Sequence, residues 1–209
     1  MAETGIDHLL YATSDLQRGM DEIETLLGVR PVRSGQHPQY GTHNALLSLG
    51  SGTYLEVIAR DPDLPPPDRG VLFDVPETDG SRLIAWVYRV TDIQESSDAL
   101  RDAGIVLGSI DSGRREKPDG SVVTWELTDP YTRPLSGAIP FLIDWGNTVH
   151  PSSAVPSGGH LVELIVTHPD AATVRSALSA IGAEVKVIDG DQFRLSATIK
   201  TNDGLITIR

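Results

Sequence analysis

The sequence predicts an α+β chain of repeated βαβββ units with an additional C-terminal βαβββ-like unit, and three observations carry that expectation. The order strand, helix, strand, strand, strand recurs three times. Leu10-Tyr11-Ala12-Thr13-Ser14-Asp15-Leu16 lies without a gap against Val87-Tyr88-Arg89-Val90-Thr91-Asp92-Ile93. Each helical segment is entered at an Asp and left at a Gly. Repetition at about 75 residues is the strongest organisational signal in the chain. A helix covers one face of its small sheet, so the other face is buried by a neighbour or left open as a concave site.

In the first unit, residues 6–12 form an apolar run rich in strand formers, and Ser14 or Asp15 caps the helix that follows. Leu16, Met20, Ile23, Leu26 and Leu27 recur at helical spacing with charges between them, and Gly28 is placed to end the helix in a left-handed conformation. Strands are expected at 30–34, 44–49 and 54–59, the last two joined by Gly50-Ser51-Gly52. A proline-rich stretch, Asp61-Pro62-Asp63-Leu64-Pro65-Pro66-Pro67-Asp68, then excludes regular helix or central strand. In the second unit a strand precedes a helix over 93–103 that ends at Gly104, and strands follow near 105–110, 122–127 and 139–145. The third unit reads as strand 160–167, helix 170–181 ending at Gly182, and strands 184–188, 192–198 and 205–209. The domain expectation is 1–146, with units at about 5–60 and 82–146, followed by 155–209.

The 209 residues are 39% hydrophobic, enough to bury a core without a covalent staple. The absence of cysteine excludes disulfides, thiolate nucleophiles and Cys-based metal sites, leaving oxygen and imidazole as metal ligands. Seventeen Lys and Arg against 29 Asp and Glu give a net charge of −12, which repels phosphate backbones and anionic lipid, so neither nucleic acid nor membrane is an expected partner. With no signal-like N-terminus and no apolar run near the ~18 residues of a membrane span, a cytoplasmic location is expected. Neither a P-loop, a dinucleotide fingerprint nor a Gly-x-Ser-x-Gly elbow occurs.

An ordered set of residues resembles a known family. It comprises Asp7-His8 opening the first strand, Gly35 and His37 before Tyr40-Gly41-Thr42-His43-Asn44, Tyr54-Leu55-Glu56, and Arg115 before Pro118-Asp119-Gly120. Trp125, the run Ile139-Pro140-Phe141-Leu142-Ile143-Asp144-Trp145, His150-Pro151 and His168-Pro169-Asp170 complete it. Together they are similar to the glyoxalase-like domain family of the vicinal oxygen chelate superfamily, over nearly the whole chain. The resemblance implies cupped mixed sheets, a small-molecule ligand, and a divalent metal (Zn, Ni, Mn or Fe) held by residues of the first and last strand of paired units. On that pattern His8 and Glu56 are the metal ligands. Ala85 stands where a second-unit histidine would be, and Leu142 or Ile143 where its carboxylate would be, so half of a four-ligand set is apolar; Glu163 of the third unit is an additional candidate.

Each candidate has an ordinary structural role beside the functional one. His8 shares a strand face with Ile6 and Leu10, where a satisfied core histidine is common. Glu56 sits in an apolar strand, and an unpaired carboxylate there is costly to bury. His37 and His43 flank a glycine-containing loop, with His37, beside Glu56, or a metal-bound water the expected acid or base and His43 a solvated loop residue. Asn44, Arg115, Trp125 and Trp145 are candidate ligand-binding residues, Arg115 through its fixed guanidinium fork, although Arg114 and Arg115 equally suit surface ion pairs. Trp86, like the other two tryptophans, suits core packing, and His150, His160 and His168 read as structural. Two function classes follow. One is a metal-dependent enzyme of glyoxalase or dioxygenase type (isomerase, lyase or oxygenase) acting on a small oxygenated molecule; the other is a non-catalytic binding or sequestering protein. Three units with open faces further predict a homodimer.

Overall fold

The structure, a computed structural model, describes residues 4–116 and 122–209, with the backbone alone at Arg115 and Glu116. In chain order the elements are β1 (Gly5–Ala12), α1 (Leu16–Leu27), β2 (Val32–His37), β3 (Thr42–Ser48), β4 (Tyr54–Arg60), β5 (Arg82–Arg89), α2 (Ile93–Asp102), β6 (Ile110–Glu116), β7 (Val122–Thr128), β8 (Phe141–Asp144), β9 (His160–His168), α3 (Ala171–Ala180), β10 (Lys186–Asp189), β11 (Arg194–Thr201) and β12 (Gly204–Ile208). The α+β class and the threefold βαβββ order are as expected. The chain divides into two compact units, one of His8–Ala85, Pro151–Leu164 and Leu195–Arg209, the other of Met1–Asp7, Trp86–His150 and Ile165–Arg194.

In the first of these, β2 pairs antiparallel with β3, β3 antiparallel with β4, and β4 parallel with β1. Asp15 caps α1 by accepting the Arg18 N–H, and Gly28, at φ 74°, closes it by donating its N–H to Glu24. Leu16, Met20, Ile23 and Leu27 are the buried stripe; fully burying such a side chain stabilises by about 1.5–3 kcal/mol. Gly19 brings α1 close to the sheet, since a Cβ there would stand 2.8 Å from Val57 Cγ1 and 2.6 Å from Thr13 Cγ2. The β11–β12 hairpin belongs to the same unit.

In the second unit β5 runs parallel to β8, which is antiparallel to β7, itself antiparallel to β6. Asp92 caps α2 through the Glu95 N–H and Asp170 caps α3 through the Thr173 N–H. The Asp at each strand-to-helix passage is thus the N-cap in all three repeats, which settles the choice between Ser14 and Asp15 in favour of Asp15. Residues 165–168 of β9 pair parallel with β10.

Two boundaries differ in ways that matter. β2 starts later than expected and runs to His37, with a bulge between Arg33 and Gly35. The strand expected at 105–110 begins only at Ile110. There the Ile105 N–H returns to Leu100 O at the end of α2, and Gly104 and Gly108 adopt φ of 85° and 80°, so the segment turns instead of extending. Among the described residues no helix is long and apolar enough to cross a membrane.

Candidate functional site

Strand registers decide which side chains share a face. His8 stands opposite Tyr54 and Leu10 opposite Glu56 across β1 and β4; Leu46 stands opposite Glu56 and Asn44 opposite Ile58 across β3 and β4. Past the bulge, Gly35 faces Asn44 and His37 faces Thr42. Successive side chains alternate between faces, so His8, Glu56, Asn44 and His37 all lie on the face opposite α1, one from each of four strands. His37, the last residue of β2, flanks the turn with Gly41 as expected, whereas the expectation of a solvated loop residue at His43 is corrected: it lies within β3, half-buried against Asp61.

Direct contacts join this row. His8 Nε2 lies 3.3 Å from Glu56 Oε2. Asn44 Nδ2 donates to Glu56 Oε1 at 2.8 Å and lies 3.5 Å from His37 Nε2, while Asn44 Oδ1 accepts the Gly35 N–H at 3.0 Å. His37 Nδ1 is 3.2 Å from Thr42 Oγ1. The His8 ring stacks on Tyr54, centroids 4.5 Å apart and planes within 16°. His8, Asn44 and Glu56 are buried, and His37 is half-buried. Glu56 meets its burial cost with the Asn44 amide donating to Oε1 and the His8 imidazole beside Oε2.

The spacing of these donors bears on the divalent metal that the family resemblance implies. Two protein donors, each about 2.1 Å from one ion, stand about 3–3.4 Å apart, and the His8–Glu56 separation has that value. Imidazole with carboxylate suits a divalent transition metal. Among the described residues no group of three or more His, Asp or Glu side chains is placed to hold one. The pair fits an ion bound through two side chains with open positions, not a closed four-ligand site. In the other repeat the register pairs Val87 with Phe141 as Leu10 pairs with Glu56, so Phe141, not Leu142 or Ile143, occupies the place of Glu56. Ala85 and Phe141 are both buried and apolar.

The remaining candidates lie elsewhere. His43 points to the α1 side of β3, 3.6 Å from the buried Asp61, beside a cleft of about 780 Å³ that Asp15, Arg33 and Arg60 also line. Asp61 is fixed by Gln36 Nε2 at 2.7 Å and the Asp63 N–H at 3.0 Å. Burial opposes its ionisation, yet these two hydrogen bonds and His43 hold its carboxyl below the usual range. Trp86 is a core residue whose indole donates to Ala138 O. Trp125 and Trp145 approach with ring centroids 5.7 Å apart beside a cleft of about 520 Å³. Arg114 is exposed; the Arg115 side chain and Pro118-Asp119-Gly120 lie outside the described residues. His168 Nδ1 accepts the Asp170 N–H, forming the expected helix-entry turn, and Glu163 is half-buried in β9. His160 is exposed, packed over Gly50, whose φ is 72°.

Sequence reasoning missed one cluster in the second unit. Asp7, wholly buried, presents Oδ2 to Arg89 Nη1 at 3.3 Å, Trp145 Nε1 at 2.9 Å and His150 Nε2 at 2.9 Å. A signal was present, because Asp7 stands in an apolar strand just as Glu56 does and needs partners for the same reason.

The repeated βαβββ order with its mixed sheets is that of the vicinal oxygen chelate fold. The chain belongs to the glyoxalase-like domain family, whose model matches residues 6–182. None of the curated proteins matches it. Among solved structures it is similar to a hypothetical protein from Staphylococcus aureus, 13% identical over 98% of each chain with a TM-score of 0.67. It also matches methylmalonyl-CoA epimerase from Mycobacterium tuberculosis (17% identity, 71% of this chain and 91% of that one, TM-score 0.42). The Streptomyces coelicolor methylmalonyl-CoA epimerase complexed with 2-nitronate-propionyl-CoA is another match (16%, 68% and 98%, TM-score 0.45). The first of these likenesses shows the fold alone.

Proposed function

We propose that the chain is an enzyme acting on a small oxygenated organic molecule, with the row His8, Glu56, Asn44 and His37 as its working site. The observation that carries this reading is the buried His8–Glu56 contact at 3.3 Å, oriented from the far side by Asn44. His8 and Glu56 would hold the divalent metal, Zn, Ni, Mn or Fe; when bound, such an ion polarises a substrate carbonyl or diol. Glu56, the carboxylate that Asn44 orients, is the group that would take or return a proton. Asn44 keeps the carboxylate from rotating, and Tyr54 holds the imidazole by stacking on its ring. That equipment suits an isomerase, a lyase or a ring-cleaving oxygenase of glyoxalase type.

The test is elemental analysis of protein purified without chelator or metal-affinity resin. A tightly held transition metal in the wild type, lost in both His8→Ala and Glu56→Ala, supports the reading. A folded protein that acquires no metal from an equimolar panel of the four ions overturns it. A second reading, a binding protein that captures its ligand without turnover, is favoured by Ala85 and Phe141, which put apolar side chains at both ligand positions of the other repeat. In that reading Trp125 and Trp145 supply aromatic contact area and Arg115 a guanidinium. A homodimer that completes open sheet faces is part of either reading, and light scattering that finds only monomer at micromolar concentration removes it.

A further inference from the structure

The bulge in β2 has a chemical consequence at the site. It leaves the Gly35 N–H directed at Asn44 Oδ1, 3.0 Å away. An amide oxygen accepts and an amide nitrogen donates, so this contact fixes which way round the Asn44 side chain stands. Its NH2 group must then face the other two partners, Glu56 Oε1 at 2.8 Å and His37 Nε2 at 3.5 Å. A donor facing Nε2 requires a lone pair there. The single proton of a neutral His37 ring consequently sits on Nδ1, which donates to Thr42 Oγ1 at 3.2 Å.

We propose that Asn44 is a positioning residue that locks His37 as the neutral Nδ1–H tautomer and separates it from the proton chemistry of Glu56. A protonated His37 would set Nε2–H against the Asn44 NH2, donor against donor. The lone pair expected to serve as a base is therefore occupied, and acid–base work in the proposed reaction falls to the Glu56 end of the row. His37 contributes by closing the hydrogen-bond chain Gly35, Asn44, His37, Thr42 that holds Asn44 rigid. This role rests on the row being the working site; the tautomer itself does not.

Long-range 1H–15N correlation spectra of the full-length, uniformly 15N-labelled protein near neutral pH read the tautomer of each histidine, with His37 assigned through His37→Gln. The wild type is expected to give the Nδ1–H pattern for His37, and Thr42→Ala to keep it. In Asn44→Ala the Nδ1–H pattern is lost. Asn44→Asp, which keeps the shape but places an acceptor opposite Nε2, inverts the pattern to Nε2–H, and it serves if the alanine variant does not fold. A wild-type His37 with its proton on Nε2, or a His37 spectrum unchanged in folded Asn44→Ala or Asn44→Asp, overturns the proposal. Neither metal nor substrate enters this measurement, so it fails or succeeds separately from the metal analysis.

Discussion

Asp7 Oδ2, without any exposure to solvent, accepts the indole N–H of Trp145 at 2.9 Å and shares that oxygen with Arg89 and His150. Removing one partner of a buried ion pair costs about 3–5 kcal/mol. Asp7→Ala is accordingly expected to lower the denaturant midpoint by an amount in that range. Trp145 also loses its anchor, so its emission changes in the same variant. An Asp7→Ala protein as stable as the wild type would show that Arg89 is solvated.

Glu56 satisfies two donors, and its variants separate stability from chemistry. Glu56→Ala orphans the buried Asn44 amide, costing about 1–3 kcal/mol. Glu56→Gln keeps an acceptor for Asn44 and turns its own NH2 toward His8. Urea titration is expected to give the glutamine variant a cost of under about 1 kcal/mol, while elemental analysis finds none of the metal proposed for the site. Equal destabilisation of the two would mean that the charge, not the hydrogen bond, stabilises the row.

Gly113 lies under the indole of Trp125. A Cβ at Gly113 would stand 2.2 Å from Trp125 Cε2, so Gly113→Ala must displace the ring. Overpacking of this kind costs about 1–3 kcal/mol. Near-UV circular dichroism should change through the Trp125–Trp145 pair, and an unaltered spectrum would place the ring elsewhere in solution.

Burial holds His43 below the usual imidazole range, Arg33 acts in the same direction, and Asp61, Asp15 and Asp63 oppose them. Asp61→Asn removes the principal opposing charge, so the NMR titration midpoint of His43 is expected to fall further. The unfolded chain, with an imidazole near pKa 6.5, binds the proton first as pH drops. The stability contribution of His43 is therefore present above that pH and lost as pH falls toward the folded value. His43→Gln should flatten this part of the stability profile between pH 7.5 and 5, and an unchanged slope would refute the linkage.

The elements governed by local rules were legible in the sequence. Asp15, Asp92 and Asp170 cap their helices because each stands just before an apolar periodic run, and Gly28 ends α1 because only glycine adopts φ 74° without cost. His8 and Glu56 were legible as a pair through the family pattern. Register was not. A bulge depends on how two strands settle against each other, so neither the reach of β2 to His37 nor the equivalence of Phe141 with Glu56 follows from counting along one strand. The Asp7 cluster joins residues far apart in the chain, and only a folded chain brings Arg89 and His150 to one oxygen.

The extra residue in β2 acts as a phase switch. Ahead of it Val32 pairs with Leu46, behind it Gly35 pairs with Asn44 and His37 with Thr42. Were the ladder continued regularly from Val32, with every residue retained, Gln36 would take the place opposite Thr42 and the imidazole would swing to the far side of the sheet. Indels in this surface hairpin, of a kind most proteins absorb silently, would therefore rewrite which functional group meets Asn44 without altering a single letter at positions 36, 37 or 44.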